Sequence, residues 1–197
     1  MKIIVLIFTL FFLSACTKQP VPEIGPVPSV TDSTEITISP AKTMTNEEKF
    51  VALNTKDGQI VIKLYTKEAP NTVANFIKKI DSGFYDKLTF HRVEPGFVVQ
   101  GGDPLGNGTG GGQIASEINA IVFKRGSLGL ARGNNINISN DSQFFICLTD
   151  GACQHLTGQY VNFGEIVSGL ELVDKIKIGD QIVSMTTKTK WKKSPFF

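Results

Sequence analysis

Between residues 50 and 187 the apolar residues come in short runs, and glycine or polar turns cut one run from the next. Phe50-Val51-Ala52-Leu53-Asn54-Thr55 reads as a strand, Lys56-Asp57-Gly58-Gln59 as a hairpin turn, and residues 60–65 as the return strand. Residues 90–93 and 97–100 give two more, divided by Pro95-Gly96, and residues 127–132, 144–148, 160–167 and 178–187 read the same way. Residues 101–112 form a glycine-rich loop. Helical spacing occurs twice. Ala69-Pro70-Asn71-Thr72 opens a helix through Ile80, with Val73, Phe76, Ile77 and Ile80 on one face and Gly83 at its end. Residues 169–176 give the other, with Leu172, Val173 and Ile176 apolar. Many short strands with only two helices predict a mainly β chain closed into an antiparallel barrel.

A chain of 197 residues with 41% apolar and 19% charged residues has one globular domain, with room for tails. The divisions expected are 1–15, 16–46, 47–188 and 189–197. Residues 1–15 are a leader: Lys2 is its positive start, and the apolar run at 3–13 is too short for a stable membrane anchor. Residues 16–46 carry Pro20, Pro22, Pro26, Pro28 and Pro40 among Ser, Thr, Val and Glu, an extended linker that buries no core. The globular domain fills 47–188. Lys190, Lys192 and Lys193 then continue the basic run begun at Lys188 into a solvated tail with Trp191. A formal charge of +2 is too small to imply a nucleic-acid partner. Two histidines and no paired Cys-x-x-Cys spacing give no metal site. Cys147 and Cys153 could bond across a short loop, or Cys147 could point inward as a plain apolar residue.

The densest chemistry lies in Phe90-His91-Arg92-Val93-Glu94-Pro95-Gly96-Phe97-Val98-Val99-Gln100-Gly101-Gly102-Asp103. Period-two counting from Phe90 puts Arg92 on the face of Phe90, opposite His91. A fixed cation beside aromatic surface suits an apolar ligand that carries an amide. This stretch closely resembles the central motif of the cyclophilins, the peptidyl-prolyl isomerases inhibited by cyclosporin. Ser142-Gln143-Phe144-Phe145-Ile146 matches a second motif at the family's separation, and the likeness extends over residues 49–187. It takes in Asn71-Thr72-Val73-Ala74-Asn75-Phe76, Gly83-Phe84-Tyr85-Asp86, Gly106-Asn107-Gly108-Thr109-Gly110-Gly111 and Phe163-Gly164. The glycine run also satisfies G-x-G-x-x-G, but Gln113-Ile114-Ala115-Ser116-Glu117 has no helical period to follow it, so a nucleotide site is not expected. Leu13-Ser14-Ala15-Cys16 resembles a bacterial lipobox, in which the cysteine becomes the lipidated first residue.

The cyclophilin resemblance implies an eight-stranded antiparallel β-barrel capped by two α-helices. It also implies a prolyl isomerase that needs no cofactor. Arg92 takes the catalytic position. An arginine N–H aimed at the prolyl nitrogen favours the pyramidal state through which the bond rotates, with no nucleophile or proton exchange. By the same resemblance Phe97, Phe145 and Leu156 line the proline socket, with Val98 where the family often has methionine. Gln100 holds Arg92 or binds backbone. Gln143, Ala131 and Arg132 match positions that bind the residues before proline, Arg132 standing where asparagine is common. His155 replaces the tryptophan of cyclosporin-sensitive members, which implies weak binding of that drug, and Tyr160 replaces a histidine. His91 reads as a structural or edge-of-site histidine and not as a base. The expected partners are proline-containing segments of unfolded or exported proteins, and a membrane reached through lipidated Cys16. The isomerase is expected to be a monomer in the cell envelope, its domain facing the periplasm. The alternative is a non-catalytic holdase that uses the same groove.

Overall fold

The computed structural model describes residues 48–191. The leader, the lipobox at Cys16, the proline-rich linker and the tail beyond Trp191 lie outside the described residues.

Nine strands form one antiparallel sheet: β1 Lys49–Thr55, β2 Gly58–Leu64, β3 Arg92–Glu94, β4 Val98–Gly101, β5 Gln113–Ala115, β6 Ser127–Arg132, β7 Ile138–Cys147, β8 Asn162–Ser168 and β9 Ser184–Lys188. Eight of them follow the order β3-β4-β7-β6-β8-β2-β1-β9, and β5 pairs with the start of β7 off that path. The end strands β3 and β9 share no ladder. The segments leading into them meet instead, through a bridge between Thr89 and Gln181 and through Phe90 N–H to the Asp180 carbonyl (2.9 Å) and Ile182 N–H to the Leu88 carbonyl (2.8 Å). The sheet therefore curls, and a short crossing joins its ends.

The inner side of the curl is the main core. Val51, Leu53, Ile60, Ile62, Val99, Leu128, Leu130, Phe144, Ile146 and Phe163 fill it. α1 Pro70–Asp81 closes one opening, with Val73, Phe76 and Ile80 buried. Proline at the first helical position has no N–H to leave unpaired, and its fixed φ already suits the helix. The first N–H groups at the helix start are taken by Glu117: Asn71 and Thr72 donate to its carboxylate at 3.0 and 2.7 Å. Phe76 meets Tyr85, Phe144 and Phe163 at centroid distances of 5.1–5.7 Å.

The second expected helix is much shorter than its apolar spacing implied. α3 covers only Leu170–Val173, and looser turns carry the chain to Ile176. A further short helix, α2 Asp150–Cys153, leads into a 3-10 turn Gln154–Leu156. Sequence periodicity is blind to elements of one turn. Tyr160 also lies ahead of its expected strand, because β8 begins at Asn162.

Candidate active site

Alternation along β4 and β7 puts Val98, Phe145 and Cys147 into a second apolar cluster on the outer face of the sheet, beside the outward residues of β3. In β4 Val99 points into the main core, and Val98 joins the outer cluster. In β7 Phe144 and Ile146 point inward, and Phe145 and Cys147 outward. In β3 Val93 packs against the main core, which leaves Arg92 and Glu94 on the outer side. The register then aligns Arg92 with Gln100, Gln100 with Phe145, and Phe145 with Gly129. One row of outward positions thus runs across four strands. The period-two count from Phe90 fails. Phe90 is fully buried in the main core, and β3 begins only at Arg92, so alternation does not carry through residues 90–91.

A cavity of about 320 Å³ sits on this row, lined by Arg92, Phe97, Val98, Gln100, Ala131, Arg132, Phe145, His155, Leu156 and Tyr160. Ten of the sequence-derived candidates therefore meet in one place. His91 and Gln143 do not line it. The floor is Phe145, whose ring lies flat over Gly129: a Cβ at Gly129 would stand 2.1 Å from its Cζ. Phe123 stacks on one side of the ring at 5.6 Å, and Tyr160 meets it edge-on at 5.7 Å. On the opposite wall His155 stacks on Phe97 at 5.8 Å. Arg132 lies over the Tyr160 ring at 4.5 Å and donates to the Gln159 and Gly133 carbonyls, both at 2.8 Å. Arg132 makes no ion pair among the described residues. A larger cavity of about 650 Å³ lies elsewhere, near Val93, Leu148 and Ile178. Its one arginine, Arg125, is tied to Asp174 and the Leu148 carbonyl.

Arg92 is held from two sides. Its Nη1 donates to Gln100 Oε1 at 3.0 Å, and its Nε and Nη2 donate to Glu94 Oε1 at 3.0 and 2.6 Å. Gln100 is itself aimed. Its Nε2 donates to Gln143 Oε1 at 2.9 Å, and Gln143 Nε2 donates to the Gly108 and Gly110 carbonyls at 3.1 and 2.8 Å. Those carbonyls belong to a loop folded around Asp103, whose buried carboxylate accepts from the N–H groups of Leu105, Asn107 and Gly108. Each amide in this relay has its oxygen toward the arginine, a polarity fixed by the donor-only guanidinium at one end and the acceptor-only carbonyls at the other. Gln143 thus stands behind the cavity, as the support of Gln100.

Burial alone would raise the Asp103 pKa, but the three backbone donors outweigh it and hold the carboxyl below its ordinary value. His91 sits against the same loop, its Nε2 about 4.0 Å from where a Cβ on Gly108 would lie, and both ring nitrogens are buried without a hydrogen-bond partner. Burial lowers its pKa, against the pull of Asp103, so its neutral form is favoured. Cys147 and Cys153 are joined as a disulfide with Cα atoms 6.2 Å apart, both sulfurs inside the outer cluster. Cys147 therefore faces the cavity side and not the barrel interior. Among the described residues no group of three or more acidic, histidine or cysteine side chains could hold a metal, and no helix is long and apolar enough to cross a membrane.

Three contributors escape a reading of the sequence alone: Gly129, Glu94 and Asp103. Gly129 looks like an ordinary strand residue until the register sets it under Phe145. Glu94 could have been paired with Arg92 by strand spacing. The signal for Asp103 is weaker: an aspartate directly ahead of a glycine-rich loop can gather that loop's N–H groups.

The chain matches the family model described as "Cyclophilin type peptidyl-prolyl cis-trans isomerase/CLD" over residues 50–194. It is 43% identical over 142 residues to a peptidyl-prolyl cis-trans isomerase of Helicobacter pylori, covering 69% of this chain and 85% of that protein. It is 44% identical over 142 residues to one of Synechococcus elongatus, covering 70% and 94%. Among solved structures it is similar to a cyclophilin type peptidyl-prolyl cis-trans isomerase of Cryptosporidium parvum, at a TM-score of 0.66 and 28% identity, covering 73% of this chain and 99% of that one. The same C. parvum protein, crystallised in the presence of the dipeptide Ala-Pro, matches at a TM-score of 0.62.

Proposed function

This chain belongs to the cyclophilin-type peptidyl-prolyl cis-trans isomerase family and is an isomerase of that class, and we propose that it turns Xaa-Pro bonds of exported proteins in the outer cavity, with Arg92 as the catalytic residue. The observation that carries this reading is Arg92 on the rim of an apolar socket, its Nη1 fixed by Gln100 at 3.0 Å. Rotation about an Xaa-Pro bond faces a barrier of roughly 18–20 kcal/mol, because resonance keeps the nitrogen planar. Phe97, Val98, Phe145 and Leu156 offer the proline ring apolar surface, which seats the bond beside the guanidinium. An N–H donated to the prolyl nitrogen is stronger once that nitrogen has recovered its lone pair, so Arg92 lowers the barrier by binding the twisted state better than the planar one. Two of the guanidinium's donors are spent on Glu94 and one on Gln100, which leaves one N–H on each Nη for substrate. Ala131 and Arg132 continue the groove past the socket, and Arg132, free of acidic partners among the described residues, favours acidic or carbonyl-rich neighbours of the proline.

The setting we propose is the cell envelope, with the chain anchored by lipid on Cys16 and the domain held away from the membrane by the proline-rich linker. Two features support it. The leader has a positive residue, an apolar run and the Leu13-Ser14-Ala15-Cys16 sequence in lipoprotein order. The Cys147–Cys153 disulfide suits an oxidising compartment. Titrating the labelled domain with an Ala-Pro dipeptide tests the site: the shifts should centre on Arg92, Gln100, Phe145 and Leu156, and shifts centred on the larger cavity would refute it. Replacing Cys16 with Ser should abolish partition into the detergent phase, and mass spectrometry should find acyl chains on the mature wild type. A mature N-terminus elsewhere would refute the anchor.

A further inference from the structure

One wall of the cavity hangs from a helix of four residues. α2 Asp150–Cys153 delivers the chain into the 3-10 turn that carries His155 and Leu156. A single helical turn does not sustain itself in water, since it fixes several residues for one hydrogen bond. α2 has little help of its own. Thr149 at its N-cap makes no side-chain cap bond, Gly151 stands within it, and Cys153 is its only buried side chain.

Polar tethers hold its N-terminal end. Arg125 N–H donates to Asp150 Oδ1 at 2.8 Å, and Thr149 Oγ1 donates to the Gly96 carbonyl at 2.7 Å. The C-terminal end, from which the wall departs, is held by the bond from Cys153 back to Cys147 at the end of β7. That bond lies inside the socket's own packing. Both cysteines are fully buried in the cluster of Val98, Phe145 and Leu156, and Cys153 Sγ is 3.5 Å from the Phe97 carbonyl oxygen. β7 is laddered on both sides, to β4 and β6, so Cys147 is a rigid point of attachment.

We propose that the Cys147–Cys153 disulfide is a positioning element of the isomerase site, which fixes the α2 wall so that His155 stacks on Phe97 and Leu156 closes the socket. Substrate affinity then depends on the bond being formed. The proposal rests on the reading of the outer cavity as the substrate site. With the bond open, two buried thiols still pack as small apolar groups, and the ladders that carry Arg92, Gln100 and Phe145 are untouched. The arginine keeps its place while the wall loosens, so KM changes and kcat changes much less.

The test compares isomerisation of a short neutral Xaa-Pro peptide by three forms of the domain: the oxidised wild type, the wild type reduced by a water-soluble phosphine, and C147A/C153A. The phosphine yields two thiols and takes its oxygen from water to leave as the oxide. Phe145→Ala serves as the control for the cavity itself. In both disulfide-free forms KM should rise about tenfold, with kcat within about threefold. Hydrogen exchange should quicken over residues 150–156 and not in α1, and reoxidation should restore KM. A KM within about twofold of the oxidised enzyme in both disulfide-free forms, whatever the fall in Tm, overturns the positioning role. If Phe145→Ala also leaves KM unchanged, the cavity reading fails with it. If Phe145→Ala raises KM and opening the bond does not, the positioning role alone fails.

Discussion

Gly129→Ala adds one methyl group at the most crowded point beneath the socket. The new Cβ would lie 2.1 Å from Phe145 Cζ and 2.6 Å from both Cε atoms. Carbon atoms pack at about 3.5–4.0 Å, so the ring must retreat by roughly 1.5 Å. Phe123 and Tyr160 crowd the ring at 5.6 and 5.7 Å and limit its retreat. The open direction is upward into the cavity of about 320 Å³. Overpacking costs about 1–3 kcal/mol. Losing a flexible glycine from the unfolded chain returns about 0.4–1 kcal/mol at most, so destabilisation wins. At about 2–4 °C per kcal/mol for a domain near this size, Tm should fall by a few degrees. Function should suffer more than stability, since a misplacement of about 1 Å can cost as much as 100-fold in rate. The expected result is a folded variant with kcat/KM down by at least about tenfold on a neutral Xaa-Pro peptide. A variant with unchanged kcat/KM and unchanged Tm would show that Phe145 does not rest on Gly129, and the socket would have to be rebuilt.

The relay and the titrating groups give three further expectations. Gln143→Ala takes a donor from the Gly108 and Gly110 carbonyls, of which Gly110 keeps Asn140 Nδ2, and leaves the buried side of Gln100 without its acceptor. It should cost about 1–3 kcal/mol of stability and lower kcat more than it raises KM, and steady-state kinetics with wild-type kcat would remove the relay from the mechanism. Stability should fall as pH falls, read as the denaturant midpoint from pH 8 to 3. His91 has its pKa below 6.5, so the unfolded chain binds the proton first and stability drops as pH passes down through that value. Asp103 and Glu117, held below 3.8 and 4.5, add a second loss as pH falls from those values toward their folded ones. A midpoint that rises on acidification would contradict all three placements. The isomerisation rate itself should stay nearly flat between about pH 6 and 8, because no proton moves in the proposed step, and a steep limb removed by His91→Gln would show that His91 takes part.

How much the sequence reveals depends on the length scale of the signal. The hairpin of β1 and β2, the helix at Pro70–Asp81 and the strand Ser127–Arg132 follow from local periodicity and turn residues. Arg92, Phe97, Gln100 and Phe145 come from motif resemblance, and their meeting in one cavity depends on a register no local pattern carries. Alternation misleads at Phe90, because the strand does not begin until Arg92 and the count starts from a residue outside it. The four-residue α2 and α3 lie below the length at which a 3.6-residue period can be told from chance. Gln143 reads as a groove residue by resemblance, and the structure adds what no motif shows, that it is buried and accepts a hydrogen bond from Gln100. The sequence leaves the pairing of Cys147 and Cys153 open for the same reason that it hides Gly129: both depend on which side of β7 a side chain leaves, and that is decided by the whole sheet.

The role of Arg92 is tested most directly by measuring kcat/KM for a short neutral Xaa-Pro peptide with the wild type, Arg92→Ala and Arg92→Lys, with circular dichroism and Tm recorded for each. Arg92 is partly exposed on an edge strand, so its loss should leave the fold intact. Arg92→Ala should fall by at least about tenfold, equal to about 1.4 kcal/mol of transition-state stabilisation. Arg92→Lys should recover only part of it, because lysine keeps the charge and lacks the planar fork that Gln100 and Glu94 hold. A folded Arg92→Ala variant within about twofold of wild type would contradict the arginine mechanism.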